Sequence, residues 1–135
     1  MEYEYWLAAM QGVSAKKKRL LREEYGEGRA VYYIEEIQLR FLDFLEDRDV
    51  EAILHARKDK DIEKDWQRLA EKNIRFIPYF SKQYPNRLRQ IDDAPYALYV
   101  KGRLPEEDRL SAAIVGARKC TPYGEETALE YGECL

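Results

Sequence analysis

All five prolines of this 135-residue chain lie between Pro78 and Pro122, and none occurs before that stretch. Inside a helix, proline removes a backbone hydrogen bond and clashes with the preceding turn, at a cost of about 3 kcal/mol. The first 72 residues are therefore free to build helices joined by short turns. Their apolar spacing predicts helices over Tyr3 to Met10, Ser14 to Tyr25 with Gly26 as terminator, Arg29 to Glu46, Val50 to Arg57, and Asp61 to Lys72. Ser14 is placed to cap the second of these. Trp6, Leu7, Met10, Val13, Leu20, Leu21, Tyr25, Ile34, Ile37, Leu42, Leu45, Ile53, Leu54, Ile62, Trp66 and Leu69 recur at helical spacing and are the expected core.

From Asn73 the pattern changes to strands. Ile74 to Phe80, Tyr96 to Gly102 and Ala112 to Val115 are short, apolar and rich in aromatic or β-branched residues. Pro78 puts the first at an edge or a bulge. Tyr84 to Ile91 reads as one or two helical turns, broken by Asp92-Asp93-Ala94-Pro95. The expected fold class is mixed: an N-terminal helical bundle over residues 1–72, then the opening of a Rossmann-like α/β sheet over 73–135. A doubly wound parallel sheet needs further βα units. The sheet is accordingly expected to be truncated, with self-association or partial disorder over residues 112–135.

Chemistry concentrates where the third strand ends. Ala112-Ala113-Ile114-Val115-Gly116 runs into Ala117-Arg118-Lys119-Cys120-Thr121-Pro122-Tyr123-Gly124 and then a helix-forming segment. A strand that stops at glycine before a helix start aims free backbone N–H groups at whatever occupies the turn, a geometry that attracts phosphate. Arg118 adds a planar cationic fork. The Thr121 hydroxyl either meets a phosphate oxygen or caps the helix, and Tyr123 either stacks on a base or packs beneath the loop. The alternative is an ordinary strand-to-helix connection with a solvated arginine.

Net charge is −3, yet it is unevenly spread. Residues 1–71 hold 13 basic and 17 acidic side chains, net −4, and residues 72–135 hold 10 and 9, net +1. Lys82, Arg87, Arg89, Lys101, Arg103, Arg118 and Lys119 supply a local basic surface, while acids gather on Glu106-Glu107-Asp108. A second basic run, Lys16-Lys17-Lys18-Arg19, follows the turn Gln11-Gly12-Val13-Ser14. It reads either as a helix-hairpin-helix-like grip on a nucleic-acid backbone or as a solvated helix start.

Other chemistries find little material. A charged fraction of 36% leaves no membrane span, and Met1-Glu2-Tyr3-Glu4 is no secretory leader, so a cytoplasmic protein is expected. Cys120 and Cys134 form no CxxC motif, and His55 stands alone, so neither a metal site nor a cofactor is expected. Paired carboxylates such as Glu23-Glu24 and Glu35-Glu36 fit solvated helices, and no catalytic residue is assigned.

Two motifs in the second half carry a resemblance: Tyr84-Pro85-x-x-Leu88-x-x-Ile91-x-Asp93-Ala94-Pro95-x-x-Leu98-Tyr99-Val100-Lys101-Gly102-x-Leu104, and Ile114-Val115-Gly116-Ala117-Arg118-x-x-Thr121-x-Tyr123-Gly124. Together they resemble the DprA/Smf family of bacterial DNA-processing proteins. The resemblance implies an extended Rossmann fold behind a SAM-like or helix-hairpin-helix-like domain. It also implies a basic pocket for single-stranded DNA that includes Gly116, Arg118, Thr121, Tyr123 and Gly124, to which the local basic surface adds Lys101 and Lys119 as expected further contacts. It further implies transfer of the DNA to a RecA-type recombinase in natural transformation and recombination. The dimer and recombinase surfaces would lie beyond Leu135. A competing reading on a similar scaffold is a nucleotide-binding enzyme resembling lysine-decarboxylase-like phosphoribohydrolases.

Overall fold

A computed structural model of the chain describes residues 1–58, 61–106 and 110–134. Of the acidic stretch Glu106-Glu107-Asp108, the last two residues fall outside the described residues. Helix α1 spans Glu2–Ala9 and α2 spans Ala15–Tyr25. Ser14 starts α2 as expected: its hydroxyl accepts the Lys17 N–H at 3.3 Å, one of the donors a helix start leaves without an internal partner. Gly26 ends it with a φ of +80°, a left-handed conformation that glycine adopts without steric cost.

The long helix expected over Arg29 to Glu46 is instead two short ones, α3 at Gly28–Tyr33 and α4 at Glu36–Arg40. Ile34 and Glu35 between them are extended, with ψ of 137° and 147°. Both sides of the break are hydrogen-bonded. The Arg57 guanidinium donates to Val31 O at 3.1 Å and Ile34 O at 2.7 Å, taking up carbonyls left bare at the end of α3. Glu35 and Gln38 form a reciprocal capping box that opens α4. The break shifts the helical phase, so Val31 and Leu39 are fully buried while Ile37, expected in the core, is 61% exposed. Helix α5, Asp47–Ala56, opens on a second capping box between Glu46 and Asp49, and α6 spans Ile62–Glu71.

Strands β1 (Ile74–Pro78) and β2 (Ala97–Lys101) pair antiparallel, in register from Ile74↔Lys101 to Pro78↔Ala97, with the one-turn helix α7 at Asn86–Arg89 between them. Pro78 ends its strand, where its missing N–H breaks no central ladder. Among the described residues the sheet is a two-stranded antiparallel pair, compatible with a helical part followed by the start of a sheet. The third expected strand, Ala112 to Val115, has no regular structure: no neighbouring strand offers it a ladder, and Val115 is 88% exposed. Helix α8, Pro122–Cys134, closes the chain and buries none of its residues.

Two apolar clusters hold the rest. The larger joins Trp6, Leu7, Leu21, Val31, Leu39 and Ile53 with Tyr96, the residue that enters β2. The smaller packs Ile77 and Val100 on Tyr84. Polar clamps bind strands to helices. Tyr96 donates to Glu4 Oε2 at 2.6 Å, while the other Glu4 oxygen accepts from Arg22 Nε at 2.5 Å and Gly28 N at 2.8 Å. Arg19 donates to the carbonyls of Asp92 and Ala94, and the guanidinium carbons of Arg19 and Arg89 lie 4.9 and 5.6 Å from the Tyr79 ring centroid.

Candidate phosphate-binding loop

Thr121 organises the loop. Its hydroxyl accepts the Gly124 N–H at 3.2 Å and its carbonyl accepts the Glu125 N–H at 3.0 Å, so Thr121 caps α8 and orders its first turn. Of the two readings of this hydroxyl, capping is the one the structure displays. The hydroxyl proton stays free to donate outward. Gly116, Lys119, Thr121, Tyr123 and Gly124 line one open recess at the start of α8. Arg118 lies in the same loop but outside that lining, and Lys101 stands on β2.

Nothing in the chain's own packing requires glycine at two of these positions. A Cβ on Gly116 would meet no atom within 4 Å, and one on Gly124 would sit at 3.5 Å from Cys120 Cβ and Thr121 Oγ1, an ordinary contact. Among the described residues, the Arg118 and Lys119 side chains make no hydrogen bond or ion pair, and both are exposed. Tyr123 is 76% exposed, so it does not pack under the loop. Cys120 and Cys134 are exposed free thiols. No cluster of His, Cys, Asp and Glu suited to a metal occurs among the described residues. Nor is any helix there long and apolar enough to cross a membrane.

The other basic run is built into the fold. Lys17 pairs with Glu46 at 3.0 Å and Asp49 at 2.5 Å, and Lys18 donates to Ala8 O at 2.8 Å and Met10 O at 2.6 Å at the end of α1. With Arg19 bonded to the β2 approach, only Lys16 of the four stands clear. The sequence pattern of a basic turn is met here by internal ion pairing and capping. Burial lowers the Lys18 ammonium to about 8. Burial also pushes the Asp49 carboxyl up, but hydrogen bonds from Lys17 and the Glu46 N–H outweigh it and hold the group below its ordinary value.

One feature escaped the sequence reading: a cluster of four rings, Tyr5, Trp66, Phe76 and Tyr99, on the outer face of the strand pair. The period-two alternation that sets Tyr99 and Lys101 on one face was its legible trace.

An N-capped helix start, preceded by a loop with uncommitted cations, presents the kinds of group that a backbone anion-binding turn uses. Residues 75–135, a stretch that contains the whole loop, match the family model of DNA recombination-mediator protein A. Protein Smf of Borreliella burgdorferi is 46% identical over 55 residues, which make up 41% of this chain and 18% of that relative. The chain thus aligns with less than a fifth of the relative's length. No solved structure matches.

Proposed function

We propose that the protein binds single-stranded DNA through the 116–124 loop and works in DNA recombination, including natural transformation. The observation that carries this reading is the family match across a loop whose cations, Arg118 and Lys119, have no partner among the described residues. Arg118 holds a backbone phosphate by its paired N–H groups, and the Tyr123 N–H at the start of α8 and the Thr121 hydroxyl proton hold it from the other side. Gly116 and Gly124 keep the approach clear. Tyr123, extended into solvent, offers a stacking face, and Lys119 and Lys101 add charge. The protein carries no catalytic role in this reading. It coats single strands in the cytoplasm as a homodimer of the complete protein and passes them to a RecA-type recombinase. The family match supports this reading over a nucleotide-hydrolysing one.

Fluorescence anisotropy of a labelled oligonucleotide, single- against double-stranded across a salt series, tests it. Single-strand preference is expected, with binding that falls as salt rises. Arg118→Ala should weaken binding to all sequences and reduce the salt slope by about 1. Unchanged affinity and slope in that variant overturn the loop assignment.

A further inference from the structure

The two faces of the strand pair have different fates. Ile77 and Val100 face the Tyr84 cluster, whereas alternation places Ile74, Phe76, Tyr99 and Lys101 on the other side. Phe76 and Tyr99 stand directly opposite each other, with ring centroids 5.5 Å apart. Tyr5 from α1 lies 5.9 Å from Phe76 and 6.2 Å from Tyr99, and Trp66 from α6 lies 5.6 Å from Phe76. All these contacts are tilted or edge-to-face, so no ring covers another's flat face in parallel. The cluster is closed inward and open outward: Tyr5, Trp66 and Phe76 are half-buried, while Tyr99 is 49% exposed.

Two cations border the open side. Lys101 lies two residues along β2 from Tyr99 on the same face, a separation of about 7 Å. Lys72 ends α6 just before β1, whose first residue, Ile74, pairs with Lys101. Both side chains are exposed, and neither makes a hydrogen bond or ion pair among the described residues. An aromatic ring on a strand with a lysine one repeat away meets the two needs of a single-stranded nucleotide: a flat surface for the base and a positive charge for the phosphate.

We propose that this face is a second contact for single-stranded DNA, with Tyr99 stacking on a base and Lys101 and Lys72 holding the adjoining phosphates. It rests on the DNA-binding reading given above and adds to it a base-contacting surface on another element, apart from the phosphate loop.

Photocrosslinking of the intact chain to an oligothymidylate carrying 5-iodouracil, with the crosslinked peptide mapped by mass spectrometry, tests the proposal. The expected crosslink falls on Tyr99. Tyr99→Leu, which keeps apolar volume over Phe76, should lose that crosslink and weaken binding roughly fivefold or more. Tyr99→Phe should keep both, because stacking needs no hydroxyl. An oligomer of abasic sites should bind Tyr99→Leu and the unaltered protein equally. Lys101→Gln should weaken both oligomers. Binding that depends on Arg118 but is indifferent to Tyr99→Leu, with crosslinks only outside residues 97–101, overturns this contact and leaves the loop reading standing. Absence of any oligonucleotide binding overturns both.

Discussion

Lys18 shows how a residue typed by sequence as a surface charge becomes a structural one. It is 6% exposed, and its ammonium closes the end of α1 by donating to two carbonyls. Its folded value near 8 lies below the unfolded lysine value of about 10.4, so the unfolded chain holds this proton more tightly. The contribution of this group to stability therefore rises as pH climbs from about 8 to about 10.4. Urea midpoints from pH 7.5 to 10 should climb for the unaltered protein relative to Lys18→Met, and a constant difference would refute the assignment. Asp49 works in the opposite sense. Its depressed carboxyl value gives stability that is present above the ordinary aspartate range and lost as pH falls through the folded value. Asp49→Asn should cost about 1–3 kcal/mol at neutral pH by weakening the Lys17 contact. Under acid conditions its denaturation curve should converge with that of the unaltered protein.

Among elements, Glu4 links three of them at one carboxylate. Arg22 comes from α2, Gly28 opens α3 and Tyr96 leads into β2. Burial raises the Tyr96 phenol far above its ordinary value and the Glu4 charge adds to this, so the hydroxyl stays a donor at any working pH. Tyr96→Phe should cost about 1–3 kcal/mol, since it leaves a half-buried carboxylate oxygen without its donor. In a double-mutant cycle with Glu4→Gln the coupling should reach about 1 kcal/mol, and additive losses would show the two act independently. Gly28 reports on the same junction. A Cβ there would lie 2.9 Å from Tyr3 O and 3.0 Å from Glu4 N, backbone atoms that have little room to yield. Gly28→Ala should therefore lower the urea midpoint by an amount worth about 1–3 kcal/mol.

At the scale of the molecule, packing density is uneven. Residues 1–58 and 61–104 share two apolar clusters and several polar clamps, whereas residues 110–123 are exposed throughout apart from their local cap. Amide exchange should follow that division. The Leu21 and Ile53 amides should exchange slowly, at rates tied to global unfolding, and those over residues 112–120 should exchange fast. Protection over 112–120 comparable to that of α5 would show that another surface orders the loop. A loop whose cations, Arg118 and Lys119, make no hydrogen bond or ion pair among the described residues is also what phosphate binding asks for, since every cation paired internally is lost to a ligand.

Local chemistry determined most of the helices, both caps of α2, the two strands that pair, the start of α8 and the composition of the 116–124 loop. These are decided within a few residues, by a side-chain oxygen, a glycine or a period of 3.6 or 2, and all of that is written in the chain order. Tertiary structure decided the rest. Arg57, far along the chain, caps α3 and divides what periodicity read as one helix, which exchanges Ile37 for Leu39 in the core. Acids on α5 and carbonyls before β2 turn the Lys16–Arg19 run from a basic surface into a set of internal ties. The β-branched run at 112–115 forms no strand, because a strand is stabilised by neighbours rather than by its own residues. Tyr5, Trp66, Phe76 and Tyr99 are scattered over 95 positions of the sequence and meet only because α1 and α6 pack on the strand pair. Contacts between distant residues depend on the path of the whole backbone, and no local window of sequence contains that path.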